Sequence, residues 1–298
     1  LLESDDSLDS INATTSAVVK YVSQKAGIGI GAGSIRALGS PIRRGDAYHT
    51  GVIPFFKMFQ SATRSCSQGG VRNGAATLYY PIWHYEVEDL LVLKNNKGTE
   101  ENRVRQMDYG VQFSKLFYER LINNGQITLF SPSDVPGLYE AFFADQDKFK
   151  ELYERAERNT KLRKKTIGAT ELFSMFMEER KNTGRIYLQN VDNANTHSSF
   201  KQDVAPIRQS NLCAEIDLPT KPLNDFNDEE GEIALCTLSA INWGNIKKPE
   251  DFAKPCELAV RGLDALLSYQ NYPVKAAERA TAGRRPLGVG IINLAYWM

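Results

Sequence analysis

Asn211, Cys213 and Glu215 stand at alternate positions in Gln209-Ser210-Asn211-Leu212-Cys213-Ala214-Glu215-Ile216, and they carry an amide, a thiol and a carboxylate. In extended backbone, residues i, i+2 and i+4 share a side, so this spacing predicts three side chains facing one pocket. Asparagine offers a neutral hydrogen-bonding fork, cysteine a redox-active sulfur and glutamate a proton acceptor. Cys236 adds a second thiol in the apolar run Ile233-Ala234-Leu235-Cys236-Thr237-Leu238, which reads as a strand around 232–238. The plainer alternative is that both thiols are buried packing residues, since free cysteine is among the most buried types. Against it, a buried glutamate two residues from a buried thiol needs a reason.

Composition bounds what such a site could serve. The 298 residues suffice for one large or two ordinary domains, with 42% hydrophobic and 24% charged residues. The 36 basic and 36 acidic side chains cancel, which argues against binding nucleic acid or membranes through bulk positive charge. No apolar run reaches the roughly 18 residues of a membrane span, and no signal-peptide pattern is present. Cys66, Cys213, Cys236 and Cys256 are too sparse for a secreted disulfide framework and include no CxxC pair, so a reducing, cytoplasmic setting is expected and no metal site is read. The chain opens on Leu1 and stops in the apolar run 291–298, which reads as an internal piece of a longer polypeptide.

The elements that must position these residues alternate between helix and strand, giving an α/β class. Residues 7–26 read as a helix with Leu8, Ile11, Thr15, Val18, Val19 and Val22 on one face, Asp6 or Ser7 capping its start and Gly27 suiting its end. Gly27 to Gly33 resembles a dinucleotide fingerprint but fails the G-x-G-x-x-G spacing and follows a helix. It reads instead as a short strand that another segment approaches closely. Arg36, Arg43 and Arg44 lie on a Gly/Pro-constrained loop suited to a phosphate-bearing ligand. A second amphipathic helix spans 51–65. The loop 65–74 then holds three glycines, with Gln68 and Arg72 as its long polar side chains. Strands are expected at 75–81, 127–132 and 185–190. Helices are expected at 86–93, 111–122, 147–158, 170–181 (capped by Thr170 and ending near Gly184) and 257–269.

Asn211-Leu212-Cys213-Ala214-Glu215 resembles the active-site loop of the large subunit of class I ribonucleotide reductases. Residues 7–13, 66–70, 130–137, 218–224 and 231–239 resemble the same family in register, most closely its enterobacterial and T4-like phage members. The resemblance implies an incomplete ten-stranded α/β barrel of two half-barrels with the cysteine on a central loop, residues 1–298 forming part of one catalytic domain. It implies that Cys213 becomes the thiyl radical, Glu215 accepts the 3′-OH proton, Asn211 holds the sugar hydroxyls and Cys236 is one of two reducing thiols. It matches Asp6, Ser7, Leu8, Arg36 and Arg43 to a deoxynucleoside triphosphate effector site (dNTP/ATP) between two large subunits, and Gln68 and Arg72 to the loop that reports effector identity. Cys66 and Cys256 match no catalytic cysteine. Implied partners are a ribonucleoside diphosphate, a metal-containing radical-generating small (beta) subunit, a second large subunit in a homodimer, and an external dithiol of the thioredoxin or glutaredoxin type. No DNA or membrane partner is expected, and no cofactor held directly. The piece is expected to be inactive alone. Two alternatives remain at this level: a noncatalytic nucleotide-binding or assembly fragment, and a thiol enzyme pairing Cys213 with His49, His84 or His197.

Overall fold

The computed structural model describes every residue but Gly69 and Val71, and every side chain of the described residues but those of Ser67 and Gln68. Its centre is a sheet of five parallel strands, Leu2–Glu3, Ile28–Gly31, Ala76–Pro81, Asp108–Phe113 and Ile186–Asn190, lying side by side in chain order. Because neighbours in sequence are neighbours in space, every connection is a crossover, and parallel pairing requires it to be long enough to return. A separate parallel pair joins Leu238–Asn242 to Gly288–Ile292, and an antiparallel pair joins Gln126–Leu129 to Lys165–Gly168. Among the described residues there is no closed barrel and no ten-stranded sheet; the α/β class stands. Among the described residues, no helix is long and apolar enough to cross a membrane.

Period-two alternation divides the central sheet into two unlike faces. Ile28, Ile30, Leu78, Tyr80, Tyr109, Val111 and Phe113 join the main core, where they meet Ala17, Val18 and Val22 of the helix Leu8–Ser23 and Phe56 and Phe59 of the helix Ile53–Arg64. Gly29, Gly31, Thr77, Tyr79, Gly110 and Gln112 have the opposite parity and face a polar segment described below. A second, mainly aromatic cluster gathers Trp83, Phe130, Phe142, Phe143, Phe149 and Tyr153.

Several elements differ from the sequence reading. Asp108–Phe113 is a central strand, and the helix expected at 111–122 starts only at Lys115, capped by the Ser114 hydroxyl. The alternation Asp108-Tyr109-Gly110-Val111-Gln112-Phe113 marks this strand, but its apolar residues run on into the apolar positions of the helix Lys115–Ile122. The first helix is capped by Ser7 as expected, but Leu8 in its first turn is 67% exposed, because the buried stripe begins at Ser10 and Ile11. Lys25, not Gly27, takes the left-handed conformation (φ 68°) that ends it. Gly168, not Thr170, precedes the helix Ala169–Thr183, which does end on left-handed Gly184. Part of the loop 65–74 forms a hairpin pairing Ser67–Gln68 with Arg72–Asn73. The strand expected at 232–238 is displaced to Leu238–Asn242, so Cys236 sits in irregular backbone just before it.

Candidate active site

The polar face of the sheet is shaped to hold residues 208–212. A Cβ at Gly29 would overlap the Ser210 carbonyl oxygen and lie 2.8 Å from Asn211 Cα, and one at Gly27 would lie 2.6 Å from Leu212 Cδ2. The close approach expected of this glycine strand is therefore present, and the approaching segment is the loop that carries Cys213. On the next strand, Thr77 Oγ1 donates to the Leu212 carbonyl and Tyr79 Oη to the Asn211 carbonyl, each at 2.6 Å. Gly110, one strand further, leaves room for the Tyr79 ring, which any Cβ there would strike. Gln112 Nε2 donates to the Arg208 carbonyl and to Gln189 Oε1.

The loop itself is a closed turn, not an extended segment. Ser210 bridges Asp217 in antiparallel fashion, Ala214 adopts φ 63°, and Asn211 Oδ1 accepts from the Glu215 and Ile216 amides at 3.0 and 3.2 Å. Two backbone donors fix the amide orientation, so Asn211 has only Nδ2 left to offer a ligand. The left-handed Ala214 breaks the alternation on which the expected convergence rested. Asn211, Cys213 and Cys236 line one cavity of about 680 Å³, whereas Glu215 lines a neighbouring cavity of about 450 Å³ with Asn193, His197 and Asp217.

Both thiols are exposed, contrary to the packing alternative. Partial desolvation, followed by the Glu215 carboxylate, holds the Cys213 thiol above its ordinary value; desolvation foremost does the same for Cys236, with Glu215 and Cys213 adding to it. Each sulfur is accordingly S–H at neutral pH. Such a pair can donate hydrogen atoms or close reversibly to a disulfide.

A buried network that sequence reasoning missed anchors the base of the loop. Glu3 is 2% exposed, accepts from Arg208 Nη1 at 3.2 Å and from Thr220 Oγ1 at 3.4 Å, and lies beside Gln209, whose Nε2 donates to the Leu2 carbonyl and to Thr220. Burial pushes the Glu3 carboxyl up to about 7 despite Arg208. The folded state therefore holds this proton where the unfolded chain has lost it, and the stability gained is full below the unfolded value and lost as pH rises through 7. Glu3→Gln, measured against the unsubstituted protein by thermal melts, is expected to compare worse at pH 5 than at pH 8, by roughly 2–3 kcal/mol. An unchanged difference across that range would contradict the assignment. The signal in sequence was an acid between Leu2 and Ser4 at a position that must be buried in an edge strand.

Of the other expected site residues, Asp6 and Arg36 are brought together: Asp6 Oδ2 accepts from Arg36 Nε at 2.8 Å and Asp6 Oδ1 from the Arg36 amide at 2.9 Å. Ser7 caps the adjoining helix and Leu8 is exposed beside it. Arg43 sits in an exposed turn at φ 51° and, among the described residues, is not joined to that pair. Arg72 is exposed on the short hairpin, and the Gln68 side chain lies outside the described residues. The histidines have partners of their own. His84 is buried, its Nε2 on the Ile35 carbonyl and its Nδ1 accepting from the Glu86 amide, and burial lowers it to about 4. His49 Nδ1 accepts from the Gly51 amide, and His197 Nδ1 is 3.2 Å from the Asn193 carbonyl. None of these bonds involves Cys213.

The family model described as ribonucleotide reductase, barrel domain, matches residues 1–298. The chain is 68% identical to the ribonucleoside-diphosphate reductase subunit alpha of Haemophilus influenzae and 66% identical to the ribonucleoside-diphosphate reductase 1 subunit alpha of Escherichia coli, over all 298 residues. It is 56% identical over 304 aligned positions to the ribonucleoside-diphosphate reductase subunit alpha of Enterobacteria phage T4. In each case all of this chain is covered and it spans 39% of the relative's length. With a whole-chain match to the family model and a thiol-bearing loop seated across a parallel sheet, the chain belongs to the ribonucleotide reductase barrel-domain family.

Proposed function

We propose that this chain supplies the reacting thiols of a class I ribonucleoside-diphosphate reductase alpha subunit, which replaces the ribose 2′-hydroxyl by hydrogen to make DNA precursors. The observation that carries the reading is that Cys213, on a loop pinned to the sheet's polar face, and Cys236, just before the strand Leu238–Asn242, open onto one cavity. Cys213, as a thiyl, takes the 3′-hydrogen and becomes S–H again. Glu215 accepts the 3′-hydroxyl proton while the thiol pair of Cys236 gives a proton to the 2′-hydroxyl, which leaves as water. Asn211 Nδ2 holds the sugar hydroxyls. Cys236 and a second thiol then give the remaining hydrogen to C2′ and close to a disulfide, Cys213 returns its hydrogen to C3′ and is left as the thiyl again, and an external dithiol reduces the disulfide. Glu215 acts from beside the thiols, close enough for its charge to raise both. The oxidising equivalent comes from a metal-containing small subunit.

The five parallel strands in chain order are the first half-barrel in this reading, and the pair Leu238–Asn242 with Gly288–Ile292 begins the second, within one catalytic domain. Asp6, Ser7, Leu8, Arg36 and Arg43 serve a nucleoside triphosphate effector at a homodimer interface, with Gln68 and Arg72 relaying its identity. The setting is the cytoplasm. The 298 residues alone do not turn over in this reading, because among the described residues Cys213, which holds the radical, is the only other cysteine lining the cavity of Cys236. The test is Cys236→Ser in the complete alpha subunit assayed with its small subunit. Multiple-turnover reduction should be lost, while substrate-dependent decay of the stored radical, followed by electron paramagnetic resonance, persists. Sustained normal turnover by this variant would overturn the role given to Cys236.

A further inference from the structure

The loop that carries Cys213 is attached to the sheet in an unusual way. Its two preceding carbonyls, on Asn211 and Leu212, are each capped by a hydroxyl from one strand more than 130 positions away in the chain, at 2.6 Å. Thr77 and Tyr79 share a parity on that strand, so successive loop carbonyls meet successive inward side chains. The surroundings keep both hydroxyls in place. Thr77 and Tyr79 are buried, and Gly110 is bare where the Tyr79 ring lies. A carbonyl fixed in direction fixes its peptide plane, and the plane after Leu212 ends at the Cys213 nitrogen.

We propose that Thr77 and Tyr79 are positioning residues for the hydrogen-abstracting step: their hydroxyls set the two peptide planes before Cys213 and thereby aim its sulfur into the thiol cavity. The proposal rests on the thiyl reading of Cys213. Neither residue touches the cavity that would hold the substrate, so the effect passes through the loop backbone. Misplacing a reacting atom by about 1 Å can cost on the order of 100-fold in rate without weakening binding, so the loss belongs in kcat and not in KM.

The test uses paired substitutions in the complete reductase. Thr77→Val keeps the side-chain shape and loses the donor; Thr77→Ser keeps the donor and loses a methyl group. Positioning by hydrogen bond predicts that Thr77→Ser stays within about threefold of the parent kcat, while Thr77→Val and Tyr79→Phe each fall tenfold or more with KM unchanged. A packing role predicts the reverse order, with valine active and serine impaired, and that order would overturn the proposal. Parent-like kcat in both Thr77→Val and Tyr79→Phe would overturn it too. Cys213→Ser run alongside separates the two levels: an active Cys213→Ser sinks the thiyl reading itself, whereas an inactive one beside fully active Thr77→Val and Tyr79→Phe sinks only the positioning role.

Discussion

Gly29→Val is expected to lower stability by about 3 kcal/mol and to reduce activity of the complete reductase by 100-fold or more. The residue it replaces has no freedom to give. A Cβ at position 29 overlaps the Ser210 carbonyl oxygen and approaches the Asn211 Cα and carbonyl carbon at 2.8 and 2.9 Å, all of them backbone atoms that no rotamer change can move. To admit valine, the loop must lift from the sheet, which strips the Asn211 and Leu212 carbonyls of their hydroxyl donors. A buried carbonyl left unpaired costs about 1–3 kcal/mol, and overpacking adds a similar amount. Gly262→Ala is the matched control. Gly262 lies in the helix Ala253–Tyr269 with nothing within 4 Å of an added Cβ, so the same kind of change there should be neutral or stabilising by roughly 0.5–1 kcal/mol. Chemical denaturation of both variants checks the stabilities, and equal behaviour of the two would contradict the seating of the loop on the glycine strand.

The parts legible in sequence were those with a local signature. Amphipathic spacing marked the helices at Leu8–Ser23, Ile53–Arg64, Gln146–Arg158 and Ala253–Tyr269, and glycine marked the close approach at 27–33. The strand Asp108–Phe113 was masked because its apolar residues Tyr109, Val111 and Phe113 ran on into the helical pattern after Ser114. The geometry of the reactive loop was hidden for a different reason. Its turn places Ala214, a residue with no special liking for the left-handed region, at φ 63°, so neither glycine nor asparagine advertised the change of direction. That single torsion separates Glu215 from the cavity of Cys213. The seat made by Thr77 and Tyr79, and the Glu3–Arg208–Thr220 network below it, join residues too far apart in the chain for any local pattern to connect them. Arg36 was marked by its Gly/Pro-constrained loop and Asp6 as a possible helix cap, but only the resemblance joined them in one site, and their pairing at the head of the first helix supplies a geometry that composition did not contain.

Cys213→Ser should abolish reduction while leaving the fold unchanged. Serine fits where cysteine sits, since the thiol is exposed and serine is nearly the same size. The loop's own bonds, through Asn211 Oδ1, Ser210 Oγ and the carbonyls of Asn211 and Leu212, do not involve the sulfur. What changes is the bond to be made and broken: an alcohol O–H is too strong for its oxygen radical to form under the oxidising power available, so hydrogen abstraction never begins. The deciding measurement is deoxynucleotide formed per enzyme by Cys213→Ser in the complete alpha subunit, with its small subunit, reductant and a ribonucleoside diphosphate, alongside a thermal melt. No product above background at an unchanged melting temperature is the expected result; product at the parent yield would contradict the assignment of Cys213 as the hydrogen-abstracting residue.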